Sequence, residues 1–221
     1  MRFTLLILLL SLAPGCSHLS PPSVGIDMVA ACGRIRFVAN GEEVKWGAIF
    51  DRPTPTLFQV ETQHFINRIE LAGGGLFTEV IDRDGTFCWR LVSGRYFISS
   101  IFPFQDDAPS RRDDFGKFVF PGVAFQIDST RHPVYLGTLK ISVSVRRDFM
   151  RNRRMISKPS IEVLDEFDSD RVIARDKLGV DLEKKLMFRV PELTDVPFQP
   201  GAPEFPAILR AVPWHLLMPS R

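Results

Sequence analysis

Apolar and polar positions alternate with a period of two through much of the chain, which is the pattern of half-buried strands. From Gly33 onward, Ile35 and Phe37 alternate with Arg34 and Arg36, and Asn40-Gly41 follows as a hairpin turn signal. Val44, Trp46 and Ala48 then share one face of a predicted second strand, broken by Pro53 and Pro55. Residues 57–71 fit neither the strand nor the helix period and are left unassigned, and Gly73-Gly74-Gly75 reads as a turn. That glycine run lacks the GxxxxGK[ST] order that cradles phosphates.

The stretch Leu76–Ile101 carries the clearest signal. Asp84-Gly85 supplies the positive φ of a tight turn between two predicted strands. After it, Phe87, Trp89 and Leu91 fall on one face; Gly94 permits a second turn, and Tyr96 and Ile98 continue that face. A polar loop, QDDAPSRRDD at 105–114, precedes strand candidates at Lys117–Asp128, interrupted by Pro121-Gly122, and at Val134–Val145. Lys158–Phe167 is another candidate. Ser169 is placed to cap a short helix through Leu178, ended by Gly179, and Leu182–Val190 reads as a last strand. Short strands separated by turn signals predict a mainly β chain, an antiparallel β-sandwich of the Ig/prealbumin type with one short helix.

The two ends depart from this pattern. Residues 1–15 place Arg2 before an apolar run from Leu5 to Leu10, then Pro14, Gly15 and Cys16. The run is shorter than the roughly 20 residues a spanning helix needs, and it has the order of a secretory signal peptide. At the other end, residues 191–221 hold seven of the 17 prolines together with Phe198, Phe205, Ile208, Leu209, Trp214, Leu216 and Leu217. This composition predicts an extended Pro-rich strap packed on the domain, with a partner-docking segment as the alternative. The organisation that follows is a signal peptide (1–15), a modified Cys16 with a tether (16–25), a β-sandwich domain (26–190) and the tail (191–221). A smaller second β part could begin near residue 117.

Two resemblances sharpen this reading. Leu12-Ala13-Pro14-Gly15-Cys16 resembles the lipobox of bacterial lipoproteins, with Pro14 as a departure from the family pattern. The resemblance implies lipidation at Cys16, and Ser17 implies delivery to the outer membrane; cleavage after Gly15 without lipid is the alternative. The order D-G-x-F-x-W-x-L-x-x-G-x-Y, carried by Asp84, Gly85, Phe87, Trp89, Leu91, Gly94 and Tyr96, resembles the meander of carboxypeptidase-regulatory-like and transthyretin-like β-sandwich domains. That resemblance covers about a tenth of the chain, and it implies a structural or interaction module without catalysis of its own.

Charge adds little to the fold and something to the partners. With 28 Lys and Arg against 26 Asp and Glu, the net charge is +2, too near neutral for the electrostatic footprint of a dedicated nucleic-acid binder. Locally the balance tips: residues 146–158 carry Arg146, Arg147, Arg151, Arg153, Arg154 and Lys158 against Asp148 alone. Contact with an anionic surface, lipid headgroups or a cell-wall polymer, is one reading. The structural alternative is a hairpin in which the acidic run Glu162, Asp165, Glu166, Asp168 and Asp170 complements the basic strand across the ladder.

Candidate chemistry is sparse. Cys32 and Cys88 are an even pair that could close a 55-residue loop in an oxidising compartment. Alternation, however, turns Cys88 away from the core face of Phe87 and Trp89. His18, His64, His132 and His215 are scattered without metal-ligand spacing, and there is no HExxH, CxxC or GxSxG. Asp82 and Asp84 match half of a calcium loop, but the glycine offset is wrong and turn chemistry accounts for them. No metal, cofactor or catalytic residue is therefore assigned. The reading is a non-catalytic envelope lipoprotein held to the membrane by its N-terminal lipid, with an envelope protein as partner through the tail or the 103–116 loop. The alternative is an enzyme assembled by the fold, with Asp106, Asp107, Asp113 and Asp114 as first candidates.

Overall fold

The alternation at Val29, Ala31, Ile35 and Phe37 becomes the long strand β1 (Val29–Ala39), in which these four residues are buried. The structure is a computed structural model and describes residues 28–46, 53–73, 80–103, 118–128, 132–148, 153–179 and 181–194. Asn40 and Gly41 both adopt positive φ, 53° and 89°, and turn β1 into the short β2 (Glu42–Glu43). The predicted second strand is shortened to β2: the Val44 N–H still donates to the Phe37 carbonyl at 2.8 Å, but Val44–Trp46 are not strand, and Trp46 is buried against Phe37 from irregular backbone. Ala48 lies outside the described residues.

The segment left unassigned by periodicity forms β3 (Thr54–Gln59), β4 (His64–Ile66) and one helical turn, α1 (Arg68–Leu71). Pro55 sits inside β3 rather than ending it. Its neighbour β4 pairs only with Leu57–Gln59, so that side of β3 is unpaired at Pro55 and a missing N–H costs no ladder bond there. The Asp82–Thr86 turn leads into β5 (Thr86–Leu91), and β6 (Gly94–Phe102) follows. The described residues before that turn, 80–82, are not strand, so the turn joins irregular chain to β5 rather than two strands. Then come β7 (Val123–Ile127), β8 (Val134–Asp148), β9 (Arg153–Leu164) and α2 (Phe167–Leu178). The segment read as one last strand is two short ones, β10 (Glu183–Lys184) and β11 (Phe188–Arg189), because the chain passes from one sheet to the other between them.

Two sheets result. One has six strands, with β1 and β8 at its centre; β5 and β2 flank β1, and β10 and β9 flank β8. The other has five strands in the order β11-β7-β6-β3-β4. Pairing is mostly antiparallel, but β8 runs parallel to β1 and to β10. The strands beyond residue 117 complete these same two sheets. Between the sheets lies one apolar cluster, with Phe37, Phe87, Trp89 and Leu139 from the first sheet and Leu57, Tyr96, Ile98 and Phe125 from the second. Sheet-on-sheet burial of this kind is the sandwich solution to two amphipathic sheets.

The outer face of the five-stranded sheet carries a second cluster: Phe58, Phe97, Phe120, Ala124, Val190 and Leu193. Leu193 belongs to a 3-10 turn, Pro191–Leu193, at the start of the Pro-rich tail. Residues 195–221 lie outside the described residues, as do 1–27.

Candidate functional site

The D-G-x-F…G-x-Y residues form the centre of the fold. The Asp84 carboxylate accepts the Thr86 N–H at 3.0 Å, and Gly85 has φ 83° with its carbonyl bound by the Ile35 N–H at 2.9 Å. A Cβ at Gly85 would stand 2.1 Å from the Ile35 carbonyl oxygen. Phe87 stacks on Trp89, whose indole N–H donates to the Val80 carbonyl at 3.1 Å; Leu91 is buried beside them. Beyond Gly94, Tyr96 stacks on Phe125 and donates its hydroxyl to the Val92 carbonyl at 2.8 Å. Burial raises the Tyr96 phenol well above its ordinary range. Each of these polar groups is spent on the fold itself.

Cys32 and Cys88 are direct register partners across β1 and β5, and their sulfurs are bonded. The alternation that takes Cys88 off the core face takes Cys32 to the same outer face, which is why the two meet. Arg34 and Arg36 follow Cys32 on that face.

A bulge completes the surface around them. Cys32 pairs with Tyr135 but Arg34 pairs with Thr138, so β8 holds an extra residue there, with Gly137 at φ 95°. The bulge places both Tyr135 and Thr138 on the outer face, although they are three positions apart. Helix α2 docks on them. Tyr135 donates to Asp170 Oδ2 at 2.8 Å, Thr138 donates to Glu166 Oε2 at 2.8 Å, and Arg34 Nη2 lies 3.0 Å from Asp170 Oδ1. Arg36 bridges Glu166 at 3.2 Å and grips Glu43 with two nitrogens at 3.1 and 2.9 Å. That grip holds the Glu43 carboxyl below its usual range, and burial together with the Asp170 carboxylate raises the Tyr135 phenol. Asp170 is only 8% exposed. The residue at the N-cap is Glu166, not Ser169, and the helix begins at Phe167; the Ser169 hydroxyl donates back to the Glu166 carbonyl at 2.9 Å. Its end is as the sequence predicts, with Gly179 left-handed at φ 66°. Arg34 takes one carboxylate of this cluster and Arg36 two, and its chemistry is the fastening of α2. Beside it, a cleft of about 350 Å³ is lined by Arg34, Arg36, Glu43, Lys45, Trp46 and Arg83.

The basic segment behaves differently. β1 accompanies β8 only as far as Val143, and the Asn40 side chain closes that end by bonding both the N–H and the carbonyl of Val145. Beyond it, among the described residues, β8 pairs with β9 alone, and the two strands leave the sandwich as a ribbon. In this arm Arg147 stands opposite Arg154, Arg146 opposite Met155 and Asp148 opposite Arg153. The complementary hairpin anticipated from the sequence is not formed. Glu162 lies further along β9, opposite Lys140 at 3.2 Å, while Glu166 and Asp170 are held under α2. Arg146 and Arg147 are exposed, and Met155 is 41% exposed. Arg151 lies outside the described residues.

No family model, curated protein or solved structure matches this chain.

The remaining predicted residues are not brought together. His64 binds Glu70 at 2.6 Å and His132 is exposed; among the described residues no group of three or more His, Cys, Asp or Glu could hold a metal. Asp82 is tied into the Asp82–Thr86 turn. Cys16, His18, His215 and the acidic loop with Asp106, Asp107, Asp113 and Asp114 lie outside the described residues. What the sequence reading missed is the α2 cluster. Arg34 and Arg36 were visible as the polar side of β1, but their partners are about 130 residues away and reach them through a bulge that periodicity does not reveal.

Proposed function

We propose that the protein is a lipid-anchored binding module of the bacterial envelope, carried on the outer membrane by Cys16 and acting without catalysis. The observation that carries this reading is the N-terminal order of Arg2, an apolar run and Leu12-Ala13-Pro14-Gly15-Cys16, ahead of a sandwich whose described polar cluster is spent on the fold. Around α2, Arg34 pairs with Asp170, and Arg36 pairs with both Glu43 and Glu166 within the fold. Near the end of β8, Arg146 and Arg147 are exposed. The resemblance of residues 84–96 to carboxypeptidase-regulatory-like and transthyretin-like modules supports the same conclusion, since those domains serve chiefly as interaction units.

Fractionation tests the anchor. Wild-type protein should remain with membranes through a salt wash, and Cys16→Ser should move to the soluble fraction; equal membrane retention of both would overturn the anchored reading. Crosslinking in intact cells tests the binding role. A captured partner that is lost when Arg146 and Arg147 are replaced by serine supports it, and turnover of a small substrate by the purified chain would reverse it.

A further inference from the structure

Strands β3, β6 and β7 are apolar on both faces. Leu57, Tyr96, Ile98, Val123 and Phe125 turn into the core between the sheets, while Phe58, Phe97 and Ala124 turn outward. The three outward residues are at most 2% exposed. A strand buried on both sides belongs to a sheet with a layer on each face. The six-stranded sheet differs: its outer face presents Arg34, Arg36, Tyr135 and Thr138, and α2 docks there. On the five-stranded sheet, among the described residues, Phe118, Phe120, Val190 and Leu193 join the outer cluster from beyond its strands.

The chain is led onto this face at its last described residues. The Val190 N–H donates to the Gly122 carbonyl at 2.7 Å, and the turn Pro191–Leu193 seats Leu193 in the cluster. Gly122 has φ 60°, and a Cβ there would stand 2.6 Å from the Thr194 nitrogen. Glycine is what lets the departing chain press so closely on the start of β7.

The sequence after Thr194 suits an aromatic surface. Pro197, Pro200, Pro203 and Pro206 recur at every third position, the period of polyproline II, in which residues three apart share one edge. Residues 197–206 in that form run ~31 Å at ~3.1 Å per residue, whereas five strands at ~4.8 Å spacing are only ~19 Å across. The segment is long enough to cross the sheet. Its four prolines have no N–H, so an extended strap here leaves fewer donors to satisfy over an apolar surface. Such Pro-rich segments dock in aromatic-lined grooves. Phe58, Phe65, Phe97 and Phe120 give this face that character, with Phe58 and Phe65 edge to face at 4.9 Å.

We propose that residues 197–206 form a polyproline II strap across the outer face of the five-stranded sheet, adding a third layer over Phe58, Phe97 and Ala124. The tail is then part of the domain, and an envelope partner is met on another surface.

Photocrosslinking of the full-length, detergent-purified protein tests the strap. Phe205→p-benzoylphenylalanine keeps an aromatic ring at that position, and the crosslinked peptides are mapped by mass after irradiation. Crosslinks should join position 205 to peptides of β3, β6 or residues 118–124 within one chain. A second measurement follows trypsin cleavage after Arg210, which a seated strap protects. Pro197→Ser/Pro200→Ser/Pro203→Ser/Pro206→Ser should speed release of the 211–221 peptide at least about tenfold, with the circular dichroism of the sandwich unchanged. Crosslinks to a second copy or to the six-stranded sheet, or no crosslink within the chain, would overturn the proposal. Equal release of the peptide from wild type and the folded variant would overturn it as well.

Discussion

Replacing Asp170 with alanine should undock α2 and cost the protein about 3 kcal/mol. Asp170 is 8% exposed and is the acceptor for the Tyr135 hydroxyl at 2.8 Å and the ion partner of Arg34 at 3.0 Å. Its removal leaves a mostly buried guanidinium without that counter-charge and a buried phenol without its acceptor. Breaking a buried pair by removing one partner costs ~3–5 kcal/mol. The lower end applies because the Arg34 side chain retains 19% exposure and solvent screens part of the loss. In a chain of this size ~3 kcal/mol lowers the thermal midpoint by roughly 6–12 °C. The assay is urea unfolding with the disulfide oxidised, reading the midpoint at constant slope. Asp168→Ala is the control, since that side chain is 94% exposed and only 4.0 Å from Arg171; it should change stability by no more than ~0.5 kcal/mol. A double-mutant cycle with Tyr135→Phe should show coupling of at least ~0.5 kcal/mol. If Asp170→Ala shifts the midpoint no more than Asp168→Ala, the helix is not fastened through this cluster and the reasoning fails.

Further predictions follow from the same geometry. Tyr96 and Tyr135 are the two tyrosines of the chain, and burial raises both phenols above the unfolded value of about 10, so they contribute stability that is full below that pH and lost as pH rises above it. Absorbance at ~295 nm should therefore show no tyrosinate in the folded protein at pH near 10.5, and both should ionise together with alkaline unfolding; a smooth titration near pH 10 in folded protein contradicts their burial. Gly85→Ala, at φ 83° with a Cβ 2.1 Å from the Ile35 oxygen, should destabilise by ~2–3 kcal/mol in the same urea assay, and a neutral result would refute the turn geometry. Cys32→Ser/Cys88→Ser should lose ~3–4 kcal/mol, and neither thiol of wild type should be alkylated before reduction; ready alkylation would show that the bridge does not form.

The strand content of this protein was legible because period-two alternation survives wherever one face meets the core, as at Ile35/Phe37 and Phe87/Trp89/Leu91. Its failures have physical causes. Trp46 is buried without strand pairing, so its apolar character mimicked a strand. Pro55 fits a strand because a short neighbour leaves that side free. Leu182–Val190 has strand composition, yet it divides between two sheets, a feature of topology rather than of local preference. The parallel run of β8 on β1 and the bulge at Gly137 are likewise long-range, and they alone bring Tyr135 and Thr138 to Arg34 and Arg36. The basic segment was visible at once. Its meaning was not, because composition could not say whether the acidic run beyond it would pair with it or, as the register shows, lie elsewhere.

Anchoring of the chain by lipid at Cys16 is the central claim, and the mass of the mature N-terminal peptide tests it most directly. Protein isolated from membranes should begin at Cys16, with acyl chains attached there. A mature chain that retains Met1, or one that begins at Cys16 without lipid, would contradict it.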